Sequence, residues 1–175
     1  MLTQAPRLET EHLILRHFAV EDFADLAAFW ADPGVVKFIG GAPQSAEISW
    51  NRLLRYIGHW QVLGYGYWAV FEKQTNRYIG SFGLQEAKRD LTPALEYPEA
   101  GWALMPEVHG KGYAREALTA LLAWADSTLK TPLCCIIDAE NQRSIHLAQQ
   151  FGFHFEHDVS YHGKPVGMYT RPAQA

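Results

Sequence analysis

Pro106-Glu107-Val108-His109-Gly110-Lys111-Gly112-Tyr113-Ala114-Arg115-Glu116-Ala117 is the stretch on which the fold turns. A proline stops an extended run, two glycines straddle a lysine, and Ala114, Ala117, Leu118, Leu121 and Ala125 then mark one face of an amphipathic helix. A glycine-bearing turn that opens a helix presents free backbone N–H groups and the positive end of the helix dipole, and glycine lets an anion approach the backbone closely. An anionic, phosphorylated ligand is implied. Spacing tests the familiar phosphate loops. Lys111 is followed by Gly112 rather than Ser or Thr, and no second glycine stands at the Walker offset. Arg115 occupies the third-glycine position of a dinucleotide fingerprint, and the unit sits late in the chain, after antiparallel strands. The bland alternative is a tight strand-to-helix connection with no ligand.

Working outward, the run Glu99 to Met105 precedes the turn, and Leu133 to Ile137 is a buried strand beyond the helix of 114–126. This segment alone has the connection length of a parallel crossover. Upstream, Leu13-Ile14-Leu15 reads as a strand, followed by a helix with Phe23, Leu26, Ala27 and Trp30 on one face, ended by Asp32-Pro33-Gly34. A second helix starts at the N-cap Ser45 and carries Trp50, Leu53, Leu54 and Ile57 until Gly58. Tyr65 to Phe71 and Tyr78 to Leu84 read as a hairpin. Downstream come a short helix, Gln142 to Gln150, and closing strands near Phe153 to Glu156 and Val166 to Thr170. The expectation is a mixed α/β fold: a mostly antiparallel sheet of six to seven strands, about four helices and one β-α-β unit. One domain over 8–171 is expected, with short tails at 1–7 and 172–175.

The 175 residues suit a single domain, and 48% apolar with 19% charged residues suit a soluble globular chain. Fifteen Lys and Arg against nineteen Asp and Glu give −4, the wrong sign for a nucleic-acid partner. No apolar run is long enough for a membrane span, and the N-terminus lacks a signal-peptide pattern. Cys134 and Cys135 are neighbours that point to opposite faces of a strand, so a cytoplasmic, reducing setting is expected. His154, His157 and His162 carry no metal expectation, because 154 and 157 differ by an odd number on a strand. The aromatic share, 13%, is high. Tyr56, Trp60, Tyr65, Tyr67 and Trp68 are read as a pocket wall, and Trp50 as core.

Three stretches carry a family resemblance. His109-Gly110-Lys111-Gly112-Tyr113-Ala114 resembles the acyl-CoA pyrophosphate loop, Gln/Arg-x-x-Gly-x-Gly/Ala, of the GCN5-related N-acetyltransferases (GNAT). Asn141-Gln142-Arg143-Ser144, Ala148 and Phe151-Gly152-Phe153 resemble the Asn-x-x-Ser-(x)7-Gly-Phe pattern of the same family. Thr10-Glu11-His12-Leu13-Ile14-Leu15-Arg16 is similar to the first strand of the RimJ/RimL-like, ribosomal-protein-alanine acetyltransferase branch. The element order agrees from about 8 to 170. Two positions depart from the pattern: His109 stands for Gln or Arg, and Ala148 for the Tyr that protonates the leaving thiolate in many members.

The resemblance implies an acetyl-CoA-dependent N-acetyltransferase in which a primary amine attacks the thioester directly, with no metal. The amine of a protein N-terminus is the acceptor implied, and a polyamine, amino acid or antibiotic is the alternative. A non-catalytic acyl-CoA-binding module is the rival from another class. His109, Gly110, Lys111, Gly112, Tyr113 and Ala114 would hold the pyrophosphate, and the backbone of Leu104 and Met105 the pantetheine arm. An N–H between Trp102 and Leu104 would stabilise the oxyanion. Asn141 would cap its helix and bond the pantetheine amide. Glu99 is the candidate base and Ser144 the candidate acid, their bland readings being a surface carboxylate and a first-turn hydroxyl. A monomer or homodimer is expected.

Overall fold

A computed structural model describes residues 1–174. The chain forms two compact units, Met1–Leu84 with Trp102–Leu121 and Gln85–Gly101 with Leu122 onward.

The first unit contains β1 (Leu8–Glu9), β2 (Leu13–Arg16), β3 (Tyr67–Glu72) and β4 (Arg77–Gln85), and the end of β5 (Glu99–Leu104). These strands lie in the order β1-β2-β3-β4-β5, with antiparallel pairing from β1 to β4. Its helices are α1 (Phe23–Ala31), α2 (Pro33–Val36), α3 (Ala46–Leu63) and the first half of α4 (Tyr113–Thr128). Strand β1 is two residues long and α2 four, too short for periodicity to reveal, which is why the sheet exceeds the expected strand count.

The expected end of α3 at Gly58 is corrected. The helix continues to Leu63 and stops at Gly64, whose φ of 76° provides the left-handed C-cap. Its inward face is also rotated by one residue, with Ser49, Leu53, Tyr56 and Trp60 buried. Trp50, read as core, is 37% exposed and meets Phe23 edge-on at 5.2 Å. The apolar stripe alone set the wrong phase because a serine sits on the buried side.

The N-terminal segment is more than a tail. Ala5 donates its N–H to His17 Nδ1 at 3.1 Å, and the Pro6 carbonyl accepts from the Trp68 indole at 2.8 Å. Arg16 grips the buried Asp22 with two hydrogen bonds, 2.9 and 2.7 Å, and Asp22 also accepts the Ala19 N–H at 2.8 Å. That pair fixes the entry to α1.

The second unit holds the start of β5, then β6 (Leu133–Asp138), α5 (Gln142–Gln150), β7 (His154–Tyr161) and β8 (Lys164–Arg171), with strand order β5-β6-β8-β7. Strands β5 and β6 are parallel, with Glu99 opposite Cys134, as the crossover spacing requires. The other two pairings are antiparallel. Arg171 clamps Asp126 through two hydrogen bonds, 2.6 and 2.8 Å. A bulge between Phe155 and His157 overturns the parity argument for the histidines, since the inserted Glu156 puts 154 and 157 on the same side. Among the described residues no cluster of three or more His, Cys, Asp or Glu could hold a metal ion. No described helix is long and apolar enough to cross a membrane.

Candidate active site

After β5 the chain makes a short 3-10 turn over Pro106–Val108 and enters α4 through Gly110 and Gly112, both at φ 81°. That left-handed region is where glycine is needed, so the backbone path alone demands both residues. Among the described residues, chain neighbours aside, no atom lies within 4 Å of the point where a Cβ would stand at either glycine. The Gly112 carbonyl accepts the first helical bond, from Glu116 N–H at 3.1 Å. Gly112 is therefore an N-cap without a side chain, which leaves the first-turn N–H groups uncapped by it. Such a turn suits the oxygens of a pyrophosphate.

Two side chains of this loop are anchored to Glu72, the last residue of β3. Tyr113 donates its hydroxyl to Glu72 Oε1 at 2.9 Å, and Lys111 Nζ lies 3.6 Å from the same oxygen. Hydrogen bonds from Thr75 and Tyr113 hold the Glu72 carboxyl below the usual carboxylate range. His109 Nε2 lies 3.1 Å from the Leu104 carbonyl, which can only accept, so this nitrogen carries the proton. A neutral His109 then has no second N–H for phosphate. Behind the loop, Glu116 accepts bonds from the Thr10 hydroxyl, the His12 N–H at 2.7 Å and His12 Nδ1 at 3.0 Å. Residues 12 and 116 meet 104 positions apart, with no local pattern to announce it. Glu72, His12 and Glu116 are the supporting residues that sequence reasoning missed.

Of the two residues expected to offer main-chain groups to pantetheine, Met105 is committed elsewhere. Its N–H donates to the Ile79 carbonyl at 2.8 Å, and its carbonyl accepts from Val108 N–H at 3.1 Å. Alternation along a strand turns the Leu104 main chain to the opposite edge. Gly80 permits the close approach of β5, since a Cβ there would stand 2.2 Å from the Ala103 carbonyl oxygen.

In the second unit, Asn141 is the N-cap of α5, accepting Ser144 N–H at 3.2 Å through its side-chain oxygen. Its amide NH2 faces no such demand from the cap. Ser144 is half-buried at the third helical position, and Ala148 is fully buried. Glu99 is not a surface carboxylate; it is 4% exposed. Arg89 donates to both of its oxygens, at 2.7 and 2.9 Å, and to the Tyr161 hydroxyl at 2.8 Å. Burial opposes the Arg89 charge, but the bonds and charge of Glu99 outweigh it and raise the guanidinium's pKa. Burial pushes the Cys134 thiol up to about 12, and Cys135 rises for the same reason. Neither thiol is poised as a nucleophile.

The aromatic wall is largely core. Tyr56, Trp60, Tyr67 and Trp68 are buried, and Tyr65 half-buried. Tyr56 stacks on Tyr67 at 4.5 Å, and Trp60 meets Trp68 edge-on at 4.8 Å. The two indoles are satisfied by backbone, Trp60 donating to the Tyr67 carbonyl at 2.9 Å and Trp68 to the Pro6 carbonyl at 2.8 Å. Trp30, assigned only a core place on α1, has a buried indole N–H with no partner among the described residues.

Residues 12–154 match the Acetyltransferase (GNAT) domain family. An acetyltransferase from Agrobacterium tumefaciens is 27% identical, with a TM-score of 0.81 over 95% of this chain and 94% of that one. Two solved structures share the fold at lower identity. A ribosomal-protein-S5-alanine acetyltransferase from Vibrio fischeri is 17% identical, TM-score 0.76, covering 97% of this chain and 98% of its own. A spermidine N-acetyltransferase from Vibrio cholerae, solved with CoA and spermine, is 19% identical, TM-score 0.74, covering 94% and 97%. With the glycine turn, the capped helix α5 and the parallel crossover in place, the chain belongs to the GNAT acetyltransferase domain family and is an acetyltransferase.

Proposed function

We propose that residues 8–171 act as one acetyl-CoA-dependent N-acetyltransferase that moves an acetyl group directly to the α-amine of a protein N-terminus. The observation that carries the donor side is the pair of left-handed glycines opening α4, with open space beside both. Gly110, Lys111, Gly112, Tyr113 and Ala114 would hold the pyrophosphate through main-chain N–H groups and the Lys111 charge. Leu104 would offer its main chain to the pantetheine arm, and Asn141 its side-chain NH2 to a pantetheine amide. When bound, the thioester supplies an electrophilic carbonyl and a thiolate leaving group. The protein's work is to orient the amine, stabilise the oxyanion and return a proton to sulfur.

An α-amine has a pKa of roughly 7.7 to 8.0 and is partly neutral at pH 7, so it demands less of a base than a lysine near 10.4. This matters because Glu99 is held by Arg89 on both oxygens. Within this reading Glu99 positions Arg89 and Tyr161, and a water takes the ammonium proton. Ser144 is the proton donor to the thiolate, by its resemblance to the family serine. The donor chemistry is independent of the acceptor, for which a small-molecule amine is the second reading.

A thiol-release assay with acetyl-CoA, an alanine-initiated peptide, a polyamine and a free amino acid tests the proposal. Turnover of the peptide is expected. CoA binding without turnover on any amine would instead indicate a binding module. Absence of any thermal shift with acetyl-CoA at about 100 times a micromolar dissociation constant, where roughly 2.7 kcal/mol is expected, would overturn the donor assignment.

A further inference from the structure

Buried polar groups in folded proteins nearly always have hydrogen-bond partners, so orphans gathered at one place call for an explanation. In the first unit three such atoms lie on α1 and α3, helices that pack on one another: Trp30 Nε1, Ser49 Oγ and Arg52 Nε. Trp30 is 3% exposed and Ser49 fully buried. The Arg52 guanidinium lies 3.9 Å from the centre of the Trp30 ring. Ser49 and Arg52 are three residues apart on α3 and hence neighbours on one helical face.

The chemistry of the trio is one-sided. An indole N–H and a guanidinium N–H can only donate, and a serine hydroxyl can donate as well. The missing partner must therefore bring acceptor oxygens. Charge narrows it further. Arg16, Arg89 and Arg171 each hold a carboxylate through two hydrogen bonds. Arg52 has no carboxylate partner among the described residues; its one side-chain bond is to the neutral Gln44 amide oxygen at 2.8 Å. A single unpaired guanidinium matches a single negative charge, and its planar fork matches a carboxylate.

Location connects the trio to the donor side. Trp30 belongs to a buried cluster, with Tyr56 and Tyr78, against which Ala103 and Met105 at the end of β5 also pack. The turn at Gly34 is closed by Pro106, since a Cβ at Gly34 would stand 2.6 Å from its ring. The helix bearing Trp30 thus leads directly into the segment that seats the start of the glycine loop, all within one unit.

We propose that Trp30, Ser49 and Arg52 form a subsite for a carboxylate carried by the acceptor amine. This rests on the acetyltransferase reading and sharpens it, because it selects amines with a nearby acid group over polycations. The carboxylate comes from a free amino acid or from an acidic residue close to a protein N-terminus.

The test follows the Trp30 indole N–H in nitrogen-15-labelled protein, its resonance assigned by its loss in Trp30→Phe. Alanine, an N-terminal Ala-Asp peptide amide, alaninamide and spermidine are titrated separately. Saturable movement with alanine or the Ala-Asp amide is expected, and the stronger of the two identifies the source. Alaninamide and spermidine should move it little, and Arg52→Gln should remove the response. In the thiol-release assay, Ser49→Ala and Trp30→Phe should raise KM for the carboxylate amine about tenfold while leaving the acetyl-CoA dissociation constant within about twofold. No response to either carboxylate probe, or an equal response to all four, overturns the proposal and leaves the donors to structural water. A failure of the donor reading shows itself separately, as loss of acetyl-CoA binding with the Trp30 response intact.

Discussion

Single side chains divide the reaction's demands between them, and two substitutions separate chemistry from scaffolding. Ser144→Ala should lower kcat about 10²-fold, the lower end of general acid catalysis, and leave acetyl-CoA binding unchanged. Wild-type turnover would return Ser144 to its place as a residue of the first turn behind the Asn141 cap. Glu99→Gln tests the opposite assignment. Removing half of a buried ion pair costs about 3 kcal/mol or more, so a thermal midpoint well below wild type is expected, with the pH profile of kcat unchanged. Loss of the acidic limb of that profile would restore Glu99 as the base. The sequence made Asn141 legible as a cap because Asn-x-x-Ser is a local pattern. It could not reveal Arg89 as the partner of Glu99, since they stand ten positions apart with irregular chain between them and only the fold closes that distance.

Elements show where periodicity succeeded and where it did not. Helix α5 starts and ends where its pattern says, and α4 and the buried β6 follow from apolar spacing alone. Helix α3 was misphased because its buried face includes Ser49, which apolar counting discards; the same residue belongs to the carboxylate subsite. The glycine turn that leads into α4 was legible as a backbone feature, and the structure sharpens its test. At φ 81° any side chain on Gly112 is strained, so Gly112→Trp alone would confound strain with blockage. Gly112→Ala should cost about 1 kcal/mol of stability and weaken acetyl-CoA modestly, whereas Gly112→Trp should abolish binding. Equal acetyl-CoA affinity in the two variants would sink the loop assignment. The link from β2 to α4 carries its own pH signature. Glu116, charge and hydrogen bond together, holds His12 above its usual 6.5, so this contribution is complete below 6.5 and fades as pH climbs through the raised value. Burial pushes Glu116 up, but bonds from Thr10 and His12 outweigh it and set it below 4.5, so its contribution is lost as pH falls through the lowered value. The gap in thermal midpoint between wild type and His12→Ala should therefore be widest between 4.5 and 6.5 and narrow as pH rises through the raised His12 value.

At the scale of the whole molecule, the mixed α/β architecture and the parallel crossover were readable because each rests on local spacing and on connection length. The glycine turn before α4 was readable for the same reason. The acceptor side was not, since Trp30, Ser49 and Arg52 come from two helices and acquire meaning only from what fails to pair with them. The aromatic excess shows the same limit: a count cannot tell a ring lining a pocket from one stacked in the interior, and most of these rings are interior. The adjacent cysteines have a practical consequence. They are the only thiols in the sequence, both buried on β6 and both far from ionising at neutral pH. A chromogenic disulfide reagent added to the native enzyme should therefore report CoA release against a silent protein background. The same reagent in denaturant should count two thiols per chain. One colour change thus serves as the clock for turnover when the protein is folded, and as the gauge of how much of the preparation has come unfolded.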